Sequence, residues 1–181
     1  MARLNDFLTK IDLSALHDYV AAHGSKASYA KGEKLVAEGE RCRYIGVVTS
    51  GYFKYTTVNA KGNEIVSGFS FEGDVVTDYV RSFLDNSASL TSIVAGCDAE
   101  VLQMPIDEVR LHLGPDFTAS ASPVLLQEAY RRYLDMLVKS PSERYLELMA
   151  RCPTLFRSLP ANEIASYLGV SRRQLHRIRL S

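Results

Sequence analysis

Tryptophan is absent from the 181 residues, and cysteine and histidine are scarce, with three and four copies. Cys42, Cys97 and Cys152 are odd in number, widely separated and without a Cys-x-x-Cys pair. That argues against a disulfide framework, a zinc finger or an iron–sulfur cluster, and a reducing cytoplasm is the expected compartment. Runs of about 18 apolar residues are also missing, so no membrane partner is expected. The start, Met1-Ala2-Arg3-Leu4-Asn5-Asp6, lacks the apolar core of a signal peptide. None of His17, His23, His112 and His176 falls in the glycine-punctuated middle of the chain, where a metal-dependent β-barrel enzyme would cluster its ligands. There is no Gly-x-Ser-x-Gly elbow and no glycine-rich phosphate loop with a lysine. Neither a metal, a bound cofactor nor catalysis is expected, and Asp107-Glu108 reads as a solvated helix start.

An excess of charge of one sign is lacking too, since 21 Lys and Arg balance 21 Asp and Glu. A uniformly basic nucleic-acid coat is ruled out, but a local patch is not. From Ser140 to Ser181 there are seven arginines, no lysine and three glutamates, a net of +4, so residues 1–139 carry −4. Four of those arginines lie in the last ten residues, beside His176. A basic terminal block on a mildly acidic body suggests a polyanion-binding module joined to something else.

Hydrophobic periodicity divides the chain. Leu4, Phe7, Leu8 and Ile11, then Leu16, Tyr19 and Val20, place helices in residues 3–23, with Asp12 and Ser14 as caps and Gly24 as a stop. Short apolar runs follow at 34–37, 44–49, 52–58, 64–70 and 93–104, separated by Gly32, Gly39, Gly51, Gly62-Asn63 and Gly73. This texture indicates an antiparallel sandwich or jelly roll, with a hairpin at Ala60–Glu64. Past Pro115, Leu126, Tyr130, Tyr133 and Leu137 follow a 4-3-4 spacing, either a dimer seam or a face buried on the chain's own barrel. Ser140-Pro141-Ser142-Glu143 ends that helix and caps the next. The expected organisation is a β-roll over residues 1–115, a long helix over 116–140 and a terminal domain over 141–181.

The most specific pattern runs from Ala161 to Ile178. Ile164, Leu168, Val170, Leu175 and Ile178 occupy the apolar positions of a helix-turn-helix, whose two steeply crossed helices share one small core. Ala165 suits the close approach, Gly169 the turn, and Ser171 the cap of the second helix. That helix would expose Arg172, Arg173, Gln174, His176 and Arg177, with Arg179 a turn on. Arginine pairs with guanine O6 and N7, glutamine with adenine, and phosphates accept from either. Ser171, Arg172, Arg173, Gln174, His176, Arg177 and Arg179 are the candidate DNA contacts.

Together these features resemble the Crp/Fnr transcriptional regulators. Lys31-Gly32-Glu33, Gly39-Glu40, Gly51, Gly62-Asn63-Glu64 and Phe71-Glu72-Gly73-Asp74 carry the resemblance in the roll. Ser142-Glu143-Arg144-Tyr145 and Ile164–Ser171 carry it at the end and look like a subgroup common in Bacteroidetes. The resemblance implies an α+β protein with a cyclic-nucleotide-binding-type sensor, a dimerising helix and a winged-helix-like DNA-binding domain. It further implies a homodimer on a roughly palindromic double-stranded operator, with RNA polymerase as a further partner. Arg173 departs from the acid that many members carry at that position. In the pocket, Gly73 and Asp74 stand where members binding cyclic AMP have Gly-Glu, but Ser89 and Leu90 replace Arg-Ser or Arg-Thr. Losing that arginine removes a charge-assisted contact worth about 1.5–3 kcal/mol. Arg81 lies in the same connecting segment, yet no spacing rule makes it a substitute. Cyclic AMP is therefore not the expected effector, and another small molecule or none takes its place. The rival from another class is a sensor or scaffold whose terminal hairpin binds protein.

Overall fold

A computed structural model describes residues 4–180. The chain forms two compact units. One is Asp12–Ala121, and the other joins the stretch ending at Ile11 to the one beginning at Ser122.

The first unit opens with α1 (Ser14–His23). The Asp12 carboxylate accepts from the Ser14 N–H at 3.0 Å and hydroxyl at 2.6 Å, which closes the turn entering the helix and lowers the Asp12 pKa. Eight strands follow: β1 (Ser25–Tyr29), β2 (Lys34–Val36), β3 (Tyr44–Ser50), β4 (Tyr52–Val58), β5 (Glu64–Phe71), β6 (Val75–Val76), β7 (Ser92–Ala95) and β8 (Ala99–Pro105). They pair antiparallel into two four-stranded sheets, ordered β1-β8-β3-β6 and β2-β7-β4-β5. Alternation along the strands supplies the core, with Ile45, Val48, Phe53, Ile93 and Val101 at 1% exposure or less. At the β4–β5 hairpin the Asn59 side-chain oxygen accepts from the Lys61 and Asn63 N–H groups. β1 and β6 are additions to the strands expected from sequence, and the apolar run 93–104 is two strands parted at 96–98.

Helix α2 (Ile106–Val138) breaks at Gly114, where φ is +67°, and Pro115 restarts it in a first-turn position that needs no N–H. In the second unit α3 (Pro141–Arg151) begins with a complete capping box between Ser140 and Glu143, as the spacing predicts. α4 (Leu155–Ser158), α5 (Ala161–Tyr167) and α6 (Arg172–Leu180) complete it. Among the described residues of this unit there is no strand. Between α3 and α5 the chain makes the four-residue helix α4.

Candidate nucleic-acid interface and effector pocket

The turn between α5 and α6 is built by backbone hydrogen bonds. The Val170 N–H donates to the Ala165 carbonyl at 3.0 Å and the Gly169 N–H to the Ser166 carbonyl at 2.9 Å. This is a Schellman closure, which places the residue after the helix cap in the left-handed region. That residue is Gly169, with φ of +69°. Ile164, Ala165, Leu168 and Leu175 are buried, while Val170 and Ile178 are half-buried, so the two helices share the small core that the spacing predicts. Ser171 caps α6 by accepting from the Gln174 N–H at 3.2 Å.

Exposure sorts the candidate DNA contacts. Ser171, Arg172, Arg173, Gln174, His176, Arg177 and Arg179 are all exposed. Two of them are engaged in ways the sequence reading did not foresee. The Gln174 Oε1 accepts from the Ser171 N–H at 2.8 Å, a reciprocal cap. The Gln174 amide oxygen thus already accepts one hydrogen bond within the cap of its own helix. The Arg179 guanidinium stacks on the Phe156 ring at 4.2 Å, which leaves its edges able to donate. Arg172, Arg173 and Arg177 have no hydrogen bond or ion pair from their side chains among the described residues.

Other arginines of the basic block are held inside the unit. Arg144 donates from Nη1 to the Lys139 carbonyl at 2.6 Å and from Nε to the Leu168 carbonyl at 3.2 Å. Arg151 donates to the Leu4 carbonyl and to Asp6. Arg157, on α4, is exposed and unpaired among the described residues, and sequence reasoning gave it no role. Only its membership of the basic block pointed to it. The seam residues Leu126, Tyr130, Tyr133 and Leu137 are 60–70% exposed.

Of the pocket residues read from the sequence, Asp74 and Ser89 are buried and Leu90 is exposed. Phe71–Asp74 is a tight turn with Gly73 at φ +85°. The Gly73 N–H donates to Val48, and the Asp74 N–H donates to the Phe71 carbonyl. Asp74 is 5% exposed, and its Oδ2 accepts from the Phe71 N–H at 2.9 Å. The carboxylate read as a ribose acceptor is thus turned into its own turn. Ser89 is buried, its hydroxyl donating to the Thr91 carbonyl at 2.7 Å and its backbone pairing with Gly39 and Glu40. Leu90 is 68% exposed. Arg81 is held by the Ala88 carbonyl and Asp85. Deep in the roll, burial pushes the Tyr55 phenol up to about 12, with its hydroxyl donating to the Thr77 carbonyl. An open groove of about 560 Å³ on the roll is lined by Glu33, Asp98 and Glu100 together with Ser28, Tyr29 and Ser50.

Residues 26–111 match the family model of the cyclic nucleotide-binding domain. The particular likenesses among solved structures are of fold. FixK2 from Bradyrhizobium japonicum aligns at a TM-score of 0.70 and 16% identity, covering 87% of this chain and 83% of that one. The c-di-GMP responsive global regulator CLP from Xanthomonas campestris aligns at 0.66 and 14% identity, covering 92% and 89%. The catabolite activator protein of Thermus thermophilus aligns at 0.57 and 18% identity, covering 96% and 84%. No curated protein sequence matches the chain.

Proposed function

We propose that the chain is a dimeric, sequence-specific DNA-binding transcriptional regulator of the Crp/Fnr type. The observation that carries this reading is α6 itself. Behind a Schellman turn and a capping box, it presents Arg172, Arg173 and Arg177 to solvent with no partner among the described residues. A helix N-terminus bearing unpaired arginines is suited to a major groove, where guanine edges and phosphates accept from them. The exposed seam on α2 supplies a second copy of the chain, and two copies bring two such helices to grooves about 34–36 Å apart.

The β-roll acts as the sensor, and cyclic AMP is not its ligand in this reading. A cyclic phosphate requires a cationic partner, and Arg81, the arginine of the connecting segment, is already paired with Asp85. The fold does not fix the ligand, since the similar CLP is described as c-di-GMP responsive. Any effector must bind one dimer arrangement better than another to act.

Selection of genomic fragments with the purified protein tests the DNA reading. Recovery of a two-fold symmetric site, with affinity that falls steeply as salt rises, is the expected result. Negligible affinity even at low salt would leave a sensor or scaffold instead. Sub-millimolar cyclic AMP binding by calorimetry would refute the ligand assignment.

A further inference from the structure

We infer that Arg144 is a positioning residue that sets the separation at which two copies of α6 read a duplex; this rests on the dimeric DNA-binding reading above. The separation depends on the angle between the seam on α2 and the reading helix α6. The chain between them passes through the extended residue Ser140 and three further helices, so backbone continuity alone fixes that angle poorly. Arg144 spans the gap. One guanidinium reaches the Lys139 carbonyl at the end of α2 and the Leu168 carbonyl at the turn just before α6. Both acceptors lie at helix C-termini, where unsatisfied carbonyls attract a cation. A rigid planar fork can hold two acceptors at a set angle, whereas an ammonium is a single point.

Neighbouring contacts hold α2 against the same turn and against α3. The Met136 Cε lies 2.5 Å from where a Cβ on Gly169 would be, and Arg132 stacks at 3.9 Å on the Tyr167 ring. Lys139 bridges Asp135 and Glu147 at 2.7 Å each, joining α2 to α3. The seam and the turn before the reading helix are therefore braced together, and Arg144 joins the end of α2 to that turn through directed hydrogen bonds.

The experiment uses the intact protein and duplexes carrying the selected half-site as an inverted repeat, with the separation varied one base pair at a time. Each added pair rotates the second half-site by roughly 35°, so a rigid reader should lose about tenfold or more per step away from its optimum. The wild type is expected to show one sharp optimum. Arg144→Met keeps the half-site base preference but flattens the dependence on separation to within about threefold, a change that general destabilisation would not produce. Arg144→Lys, which keeps the charge and loses the fork, flattens it similarly, and it decides the matter if the methionine variant does not fold. A lysine variant with the wild-type optimum, or a methionine variant that retains it, overturns the positioning role. A wild type that selects no paired half-sites overturns the DNA-binding reading beneath it, and the two failures are told apart by the wild-type arm.

Discussion

A guanidinium held by acceptors within its own fold has less left for a duplex, and Arg144 and Arg151 are held in that way. Arg172, Arg173, Arg177 and Arg157 are exposed and unpaired among the described residues, and they differ in where they sit. The first two occupy the opening turn of α6, nearest to base edges in a docked reader, and Arg177 lies further along the same exposed face. Replacing Arg172 or Arg177 by alanine should cost about 1–3 kcal/mol and relax the preference at one base position, measured by binding to a panel of substituted operators. A uniform loss across the panel would make the residue a phosphate contact. Arg157→Ala, on α4, is expected to give that uniform loss and to lower the slope of log affinity against log salt by about one. Gln174→Ala should act differently again, because its amide closes the cap of α6. It is expected to lower the melting temperature as well as affinity, whereas the arginine changes leave melting unmoved.

At the scale of elements, the turn before α6 is the most constrained feature of the second unit. A side chain at Gly169 must adopt φ near +69° and displace the Met136 methyl group. Gly169→Ala is expected to destabilise the fold by about 1–3 kcal/mol, read as a lower denaturant midpoint. Ser171→Ala should cost about 1 kcal/mol through loss of the cap. The capping box of α3 brings a pH dependence. The Ser140 hydroxyl and N–H hold Glu143 below its usual carboxylate range. Its contribution is therefore complete at neutral pH and is lost only as pH falls through and beneath that range. These features were legible in the sequence because each rests on a local rule: a serine three residues before Glu or Gln, a glycine at the required positive φ, an apolar residue at fixed intervals. β3, β4 and β5 were legible for the same reason. β1 was not, because Ser25-Lys26-Ala27-Ser28-Tyr29 has no apolar alternation and becomes a strand only through its pairing with β8. β6 is two residues long and held by β3. The pocket was the least legible part. Counting positions cannot show that the Asp74 carboxylate folds back on Phe71, nor that Leu90 faces water. The occupied amide of Gln174 escaped notice in the same way, since a capping box and a base contact use the same residue type.

The behaviour of the whole molecule turns on the α2 seam. Leu126, Tyr130, Tyr133 and Leu137 lie on one face, with the two tyrosine rings stacked at 6.4 Å. Four large side chains at 60–70% exposure in a single stripe are an unusual cost for an isolated chain, and burial against a second copy removes it. Antiparallel or staggered association would also cover them, but a parallel pairing about a two-fold axis along the helices presents both α6 helices to one face of a duplex. Introducing charge into the seam separates these roles. The double change Tyr130→Glu with Leu137→Glu places like charges opposite one another across a symmetric interface while leaving α6 and its cap untouched. Sedimentation equilibrium should then report a monomer, and melting of the β-roll should be unchanged. Affinity for a full palindromic site should fall by about 10²- to 10⁴-fold, because the second half-site is no longer bound intramolecularly. Affinity for a single half-site should stay within about threefold, and the salt slope on the full site should fall to roughly half, as half the phosphate contacts are lost. A variant that remains dimeric would place the interface elsewhere on the molecule. A monomer that keeps wild-type affinity for the full site would show that the seam is not what couples the two reading helices.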